Sequence, residues 1–380
     1  MTYAIFSIVA NSISPSGCAA YTYAQYSSSP YLRAPYFQFS EQVTDDWASN
    51  QGTHPAFPFL TGSGGANQVV LFGYLGYRML PDYTLHIDPS LPPQIPYVKY
   101  RTFYWHGWPL SAWSNYTHTT IRRANDTPPL DTADPRFANG PIPVHVGPAS
   151  NFTKYTLPAS PDQALTIRNR LIGSIATFPG NMIQCAPVTS PDAFVPGQFP
   201  ISAVDGAAST KWQPLSANRT SALTVSFPGS EREEIVGFAF DWAQHPPVSA
   251  RVLLHDSPLS LSPEELDADL ADTHAPAGSV VALDLPSVTL SNPYDPATTD
   301  LNVIVPYKGN TTNVTLAQPV RASKFATLLV WGNQGLHEGE VVAGNGTGAT
   351  VAEWVVLRED VGADSGEEGD GWGGQWRVDL

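Results

Sequence analysis

Proline and glycine punctuate this chain too often for a helical bundle to run through it. They number 36 and 30 in 380 residues, and each proline fixes φ and removes a backbone donor. Between them lie short runs of β-branched and aromatic residues, as where Leu223, Val225 and Phe227 alternate with Thr224 and Ser226. Alternation with period two predicts half-buried strands, and many such strands with turn chemistry between them predict antiparallel sandwiches.

The first 82 residues differ. Segments 4–10, 19–26, 35–48 and 66–80 read as helices. In the third, Pro35 is tolerated at a first turn, and Phe37, Phe39, Val43 and Trp47 fall near helical spacing. The fourth is apolar almost all round (Val69, Val70, Leu71, Phe72, Tyr74, Leu75, Met79), so it should be buried. Gly73 and Gly76 in it admit a close backbone neighbour at a cost in helix propensity.

From residue 85 to 157 the pattern turns to strands, at 97–105, 117–122 and 142–146. Prolines with Asn and Asp near 158–161 mark a boundary. A second all-β region follows, with strands expected at 222–227, 235–242, 250–255, 280–285, 302–306, 314–317, 326–331 and 351–357. Ser262, Pro263 and Glu265 form a capping signature that opens one helix within it. The acidic, glycine-rich tail from Glu359 is expected to be disordered.

Composition narrows the function classes. A net charge of −15 argues against a nucleic-acid or anionic-membrane partner, because both require a basic face. Charged residues make up only 14%, so solubility rests on Ser, Thr, Asn, Gly and glycans. Seven sequons, at Asn115, Asn125, Asn151, Asn218, Asn310, Asn313 and Asn345, favour a secreted glycoprotein. Cys18 and Cys185 are too few for a disulfide framework. They can pair with each other, pair with a cysteine outside the chain, or stay as buried thiols. The opening MTYAIFSIVA is apolar but lacks the basic flank of a signal peptide and is too short to span a membrane.

Two runs, GTHPAFPFLTGSGGANQVVLFGYLG at 52–76 and LHIDPSLPPQIPYVKYRTFYWHGWPLSAWSNYTHTT at 85–120, resemble the C-terminal part of glycoside hydrolase family 65. Within that family the resemblance is nearest to the fungal acid trehalases, and it covers about the first 150 residues. It implies that residues 1–82 are the last helices of an incomplete (α/α)6 catalytic barrel. Residues 83–157 would then be the small β-sandwich that follows the barrel. The chain would be a piece of a larger secreted, cell-wall or vacuolar enzyme, with apolar helix surface left open where the rest of the barrel packs.

The activity implied is inverting hydrolysis of an α-glucoside, with α,α-trehalose the first choice and kojibiose an alternative. Inversion needs two carboxyl groups about 6.5–9.5 Å apart, an acid for the leaving oxygen and a base for water. Ser40-Glu41-Gln42 is similar to the motif carrying the base in the related glucoamylases, so Glu41 is the candidate base and Gln42 a sugar contact. Without the resemblance Glu41 would be one of 34 acidic residues, most of them solvated. His54 matches the histidine of the family's Gly-x-His motif, to position water or a sugar hydroxyl; a histidine that only satisfies loop backbone is as good a reading. Trp108, in the YWHGWP loop with Trp105 and His106, is a candidate sugar platform, against a packing role. The general acid of the family lies upstream of the matching region. A carbohydrate-binding or structural chain without turnover is therefore the competing hypothesis.

AVDGAASTKWQP at 203–214 resembles the early signature of discoidin-like, galactose-binding-like sandwiches, placing one at 158–358 and the tail at 359–380. No cofactor is required for hydrolysis. Some domains of this kind hold a structural calcium near this loop, which makes Asp205 and Thr210 oxygen ligands for a hard cation. The plainer reading is that Asp205-Gly206 makes a turn while Trp212 plugs the core. The sequence contains no His-x-x-x-His cluster, P-loop, dinucleotide fingerprint or Gly-x-Ser-x-Gly elbow.

Overall fold

The computed structural model describes residues 2–13, 17–229, 232–261, 266–272, 274–290, 310–336, 340 and 346–359. The helix opening at Ser262, the strand at 302–306, the sequon at Asn345 and the tail beyond 359 lie outside the described residues.

Helices α1 (Thr2–Ile13) and α2 (Ala19–Ser28) pack on each other and on α3 (Leu60–Gln68), which runs without a break into a π-helical stretch, Val69–Tyr74. The fourth expected helix is therefore present but displaced, beginning and ending about six residues earlier than the sequence predicts. Gly76 stops it in a left-handed conformation (φ 64°), where a Cβ would strike the Asp88 backbone. Met79 falls beyond the stop and is exposed, whereas Val69, Tyr74 and Leu75 are buried.

The helix expected at 35–48 does not form. Strands β1 (Leu32–Arg33) and β2 (Gln38–Phe39) make a short hairpin there, with Phe37 in a left-handed turn, and residues 40–48 follow as irregular chain. The reason is tertiary. Phe37 and Trp47 are 67% and 55% exposed, so no neighbour rewards burial of that stripe, and weak propensity alone does not hold a helix.

α1 is packed inside out. Its inward face is Ala4, Ser7 and Asn11, while Ile5, Val9 and Ile13 point outward at 44–65% exposure. Buried hydrogen bonds hold the inward face: Ser7 Oγ donates to the Ala20 carbonyl (2.7 Å), and Asn11 Nδ2 to the Gly73 carbonyl (2.8 Å) and Ser90 Oγ (2.6 Å).

Eight strands build the first sandwich: β3 (Leu85–Ile87), β4 (Tyr97–Lys99), β5 (Phe103–Trp105), β6 (Trp108–Asn115), β7 (His118–Arg123), β8 (Ile142–Val146), β9 (Thr153–Leu157) and β10 (Ala164–Arg168). One sheet runs β10-β7-β6-β4 with β5 also on β6; the other runs β3-β8-β9. Because β10 pairs along β7, this sandwich reaches residue 168 and overruns the boundary expected at 157. The prolines at 158 and 161 lie instead in the connection that crosses from β9 in one sheet to β10 in the other. Leu85, Ile142 and Val144 from one sheet meet Leu110, Ile121 and Ile167 from the other. Ala4, Val69 and Leu75 join the same core, so helices and sandwich bury one another.

The second sandwich uses β11 (Val188–Thr189), β12 (Ser221–Ser226), β13 (Glu234–Asp241), β14 (Ser249–His255), β15 (Ser279–Leu285), β16 (Thr311–Arg321), β17 (Phe325–Trp331) and β18 (Glu353–Arg358). Its sheets run β11-β12-β17-β14-β15 and β16-β13-β18, antiparallel throughout. Leu223, Val252 and Leu328 face Phe238, Phe240 and Val356 across the core, and Trp212, Trp242 and Trp354 are fully buried there. The chain is thus mostly β, in several sheets, with a few N-terminal helices.

Cys18 and Cys185 are disulfide-bonded, with Cα atoms 5.9 Å apart and 167 positions between them. The bond ties the start of α2 to the second sandwich, beside a hydrogen bond from the Cys18 N–H to the Asp205 carbonyl (2.6 Å). Closing so long a loop restricts the unfolded chain, so Cys18→Ser should lower unfolding stability by about 2–5 kcal/mol in denaturant titrations. A loss below about 0.5 kcal/mol would show that the bond does not constrain the unfolded state.

Candidate functional site

The Ser40-Glu41-Gln42 segment is held from three sides. Ser40 is buried, with its N–H on the Tyr31 carbonyl (2.8 Å) and its hydroxyl donating to Asp45 Oδ1 (2.6 Å). Arg33 donates from Nε to Asp45 Oδ2 (2.6 Å) and from Nη2 to the carbonyls of Gln42 (2.7 Å) and Val43 (3.0 Å). Glu41 exchanges two bonds with Ala56: its N–H donates to the Ala56 carbonyl (3.1 Å), and its Oε2 accepts from the Ala56 N–H (3.0 Å). That pair draws the loop carrying His54 alongside Glu41. Glu41, Gln42 and His54 are all exposed.

Neighbouring carboxyls do not qualify as a proton donor. Arg33 and Ser40 hold Asp45 below the usual carboxylate range, and hydrogen bonds from Ser49 lower Asp46. A general acid needs the opposite shift.

Trp105 and Trp108 flank the tight β5–β6 turn, where His106 (φ 44°) and Gly107 (φ 80°) both take positive φ, as a primed hairpin turn requires. Trp105 is buried against Phe137 and His106. Trp108, half-buried, donates its indole N–H to the Asp134 carbonyl (2.8 Å), with the Arg123 guanidinium 5.2 Å from its ring centre. Both rings are tied into the first sandwich.

Asp205 and Thr210 do come together, with Thr210 Oγ1 donating to Asp205 Oδ2 at 2.8 Å. Sequence reasoning missed their third member. Glu353, at the start of β18, is 1% exposed, and its Oε1 accepts from the Ala207 N–H (2.7 Å), which also donates to Asp205 Oδ1 (3.0 Å). Two fully buried carboxyls therefore share one donor. Thr22 of α2 adds a hydroxyl bond to Asp205 Oδ2 (2.5 Å). Burial raises the pKa of Asp205 against the pull of the two threonine hydroxyls; burial and the charge of Asp205 raise Glu353. Glu353 Oε2 is buried without a partner, and neither carboxyl has a cationic side-chain partner among the described residues. The signal was available: a lone acid in VAEWVVL is anomalous, since unpaired glutamates are almost never fully buried.

Two carboxyls and the Thr210 hydroxyl gather oxygen atoms, the donor type a hard cation takes, while the carbonyls of Asp205, Gly206 and Ala207 already accept from Cys18, Thr177 and Thr210. Among the described residues no group of three or more His, Cys, Asp or Glu is arranged to hold a metal, so a cation here would rely on backbone and hydroxyl oxygens beside the two acids.

Five sequon asparagines (Asn115, Asn125, Asn151, Asn218, Asn313) are exposed. Asn310 is not. It is 1% exposed and donates to the Ala243 carbonyl (3.0 Å), which a glycan would have to displace. No helix among the described residues is long and apolar enough to cross a membrane.

A short helical layer is thus joined to two β-sandwiches, with the exposed Glu41 loop on the helical side. The chain is a homologue of glycoside hydrolases, and specifically of fungal acid trehalases. It is 64% identical over 361 residues to a cell wall acid trehalase of Arthroderma benhamiae, covering 94% of this chain and 34% of that protein. To an acid trehalase of Emericella nidulans it is 56% identical over 362 residues, covering 94% and 33%. The chain thus spans about a third of the length of the curated relatives it matches. No family model matches it. Among solved structures, a chitosan-binding module in complex with chitotriose, from Paenibacillus sp. IK-5, is 12% identical at a TM-score of 0.31, covering 47% of this chain and 99% of the module.

Proposed function

We propose that these residues belong to an inverting glycoside hydrolase that converts α,α-trehalose to glucose, with Glu41 as the general base. The observation that carries this reading is the 64% identity to a cell wall acid trehalase across nearly the whole chain. The fold supports it: α1 turns its apolar side outward, as a helix does when a further layer of helices covers it. In this reading that layer is the rest of an (α/α)6 barrel, and the general acid sits in the part of the relatives' length that the chain does not span. Gln42 and His54 contact sugar or water beside Glu41. Trp108 is kept as the sugar platform because it is partly exposed where Trp105 is buried. The second sandwich is a discoidin-like domain whose Asp205, Glu353 and Thr210 hold a structural calcium. The protein is exported to the wall or its vicinity, consistent with relatives named for cell wall and periplasm, with the disulfide, and with five exposed sequons.

Glucose release should be measured from α,α-trehalose and from kojibiose, with the 380-residue chain and with a version extended to the relatives' length. Turnover of trehalose by the extended protein only, with kojibiose at least tenfold slower, is the expected result. Faster cleavage of kojibiose would keep the reaction and replace the substrate. Inactivity of the extended protein on both would favour the second reading, carbohydrate binding without turnover; its support is that the chain alone offers one of the two carboxyl groups inversion needs.

A further inference from the structure

The outer face of the β10-β7-β6-β4 sheet has a feature that neither hydrolysis nor the core explains. Along β7, Thr119, Ile121 and Arg123 turn inward, while His118, Thr120 and Arg122 turn outward. The register sets Ser111 opposite Arg122, and Trp113 between Thr120 and Lys99. Of these, Arg122, Ser111, Trp113 and Lys99, together with Tyr97, Arg101 and Asp126, line a groove of about 500 Å³, within the roughly 300–1,000 Å³ of small-ligand sites.

Three properties of the groove point the same way. Two of its lining residues carry buried polar atoms without a hydrogen-bond partner, Ser111 Oγ and Arg122 Nε, a departure from the rule that buried polar groups are paired. Its walls are aromatic, with Tyr97 56% exposed and the Arg122 guanidinium 5.7 Å from the centre of the Trp113 ring, a contact that uses none of its N–H groups. Its charge opposes that of the protein. Lys99, Arg101 and Arg122 line it against one acid, Asp126, in a chain of net charge −15 with 19 basic residues.

We infer that this groove binds an anionic saccharide, a pyranose carrying a phosphate or carboxylate. The sugar ring would lie on Trp113 and Tyr97, and the anionic group would take charge-assisted bonds from Arg122 with Arg101 or Lys99. A long nucleic-acid strand would also meet aromatics and cations here, but beyond the groove it would face a protein of strongly negative charge. The inference is independent of the reading of Glu41.

Ligand-observed NMR on the 380-residue chain can test this, with protein made without glycans because Asn115 and Asn125 both flank the face. The probes are glucose 6-phosphate, glucuronic acid, glucose, inorganic phosphate and a short single-stranded DNA. The expected result is that one or both acidic sugars bind at least tenfold tighter than glucose or phosphate, and that added salt weakens binding. Which acidic sugar binds tells phosphate from carboxylate. Arg122→Gln and Trp113→Ala should each cost tenfold or more with an unchanged circular dichroism spectrum. Arg101→Gln, on a loop, should cost at least threefold without touching a strand. Equal binding of inorganic phosphate, tighter binding of the DNA, or affinity unchanged in all three variants would each overturn the proposal.

Discussion

Glu41→Gln, made in a protein extended to the relatives' length, should lower kcat on trehalose by about 10²–10⁴-fold, the range general-base catalysis contributes, with KM changed less than about threefold. The substitution isolates chemistry from structure. Glu41 Oε2 accepts the Ala56 N–H at 3.0 Å, and a glutamine carbonyl can accept the same bond, so the loop carrying His54 keeps its anchor. What glutamine cannot do is take a proton from water. Steady-state kinetics with an unfolding curve for each variant decides the matter. Activity within threefold of the parent would remove Glu41 from the mechanism. A large loss of stability beside the loss of rate would mean that Glu41 serves the loop. By contrast, Asp45→Asn should act through structure, because it breaks contacts to Arg33 and Ser40.

The second large effect concerns the buried carboxyl pair. Adding calcium to chelator-treated protein should raise the Tm by several degrees: a ligand at a hundred times its Kd contributes about 2.7 kcal/mol, and each kcal/mol moves a domain of this size by about 2–4 °C. Glu353→Gln should abolish that response and, in chelator, raise the Tm above that of the parent: burial and Asp205 raise the Glu353 pKa, which costs stability against an unfolded chain where the acid ionises, and glutamine removes that cost. The opposite signs are diagnostic. Loss of stability in chelator with no calcium response in the parent would show a pair held by protons alone. Because ligand carboxyls must be deprotonated and burial raises both of these, Asp205 to about 7, the calcium-induced gain should already shrink as pH falls through about 7, above the ordinary carboxylate range.

Much of the second sandwich was legible before any coordinates. Seven of its strands fall within a few residues of the runs where β-branched and aromatic residues alternate, since a sheet with one buried face selects for that alternation. Trp212 sits in the core because a large ring beside a turn has few other places to bury. The exposed loop around Glu41 came from a motif, and the structure adds its clasp to Ala56, a contact across fifteen positions that no local pattern encodes.

What the sequence by itself determined is the local grammar: strands where alternation is strict, and a turn at Asp205-Gly206 with Trp212 in the core beside it. Only the tertiary structure decided the rest. It denied residues 35–48 a helix by giving their aromatic stripe nothing to pack against, carried the first sandwich on to β10, and joined Cys18 to Cys185. It also brought Thr22, Asp205 and Glu353 together from three distant segments. The physical reason is the same in each case. Local propensities are worth tenths of a kcal/mol per residue, whereas burial of a side chain or a charge is worth kilocalories, and burial depends on partners that sequence distance does not reveal.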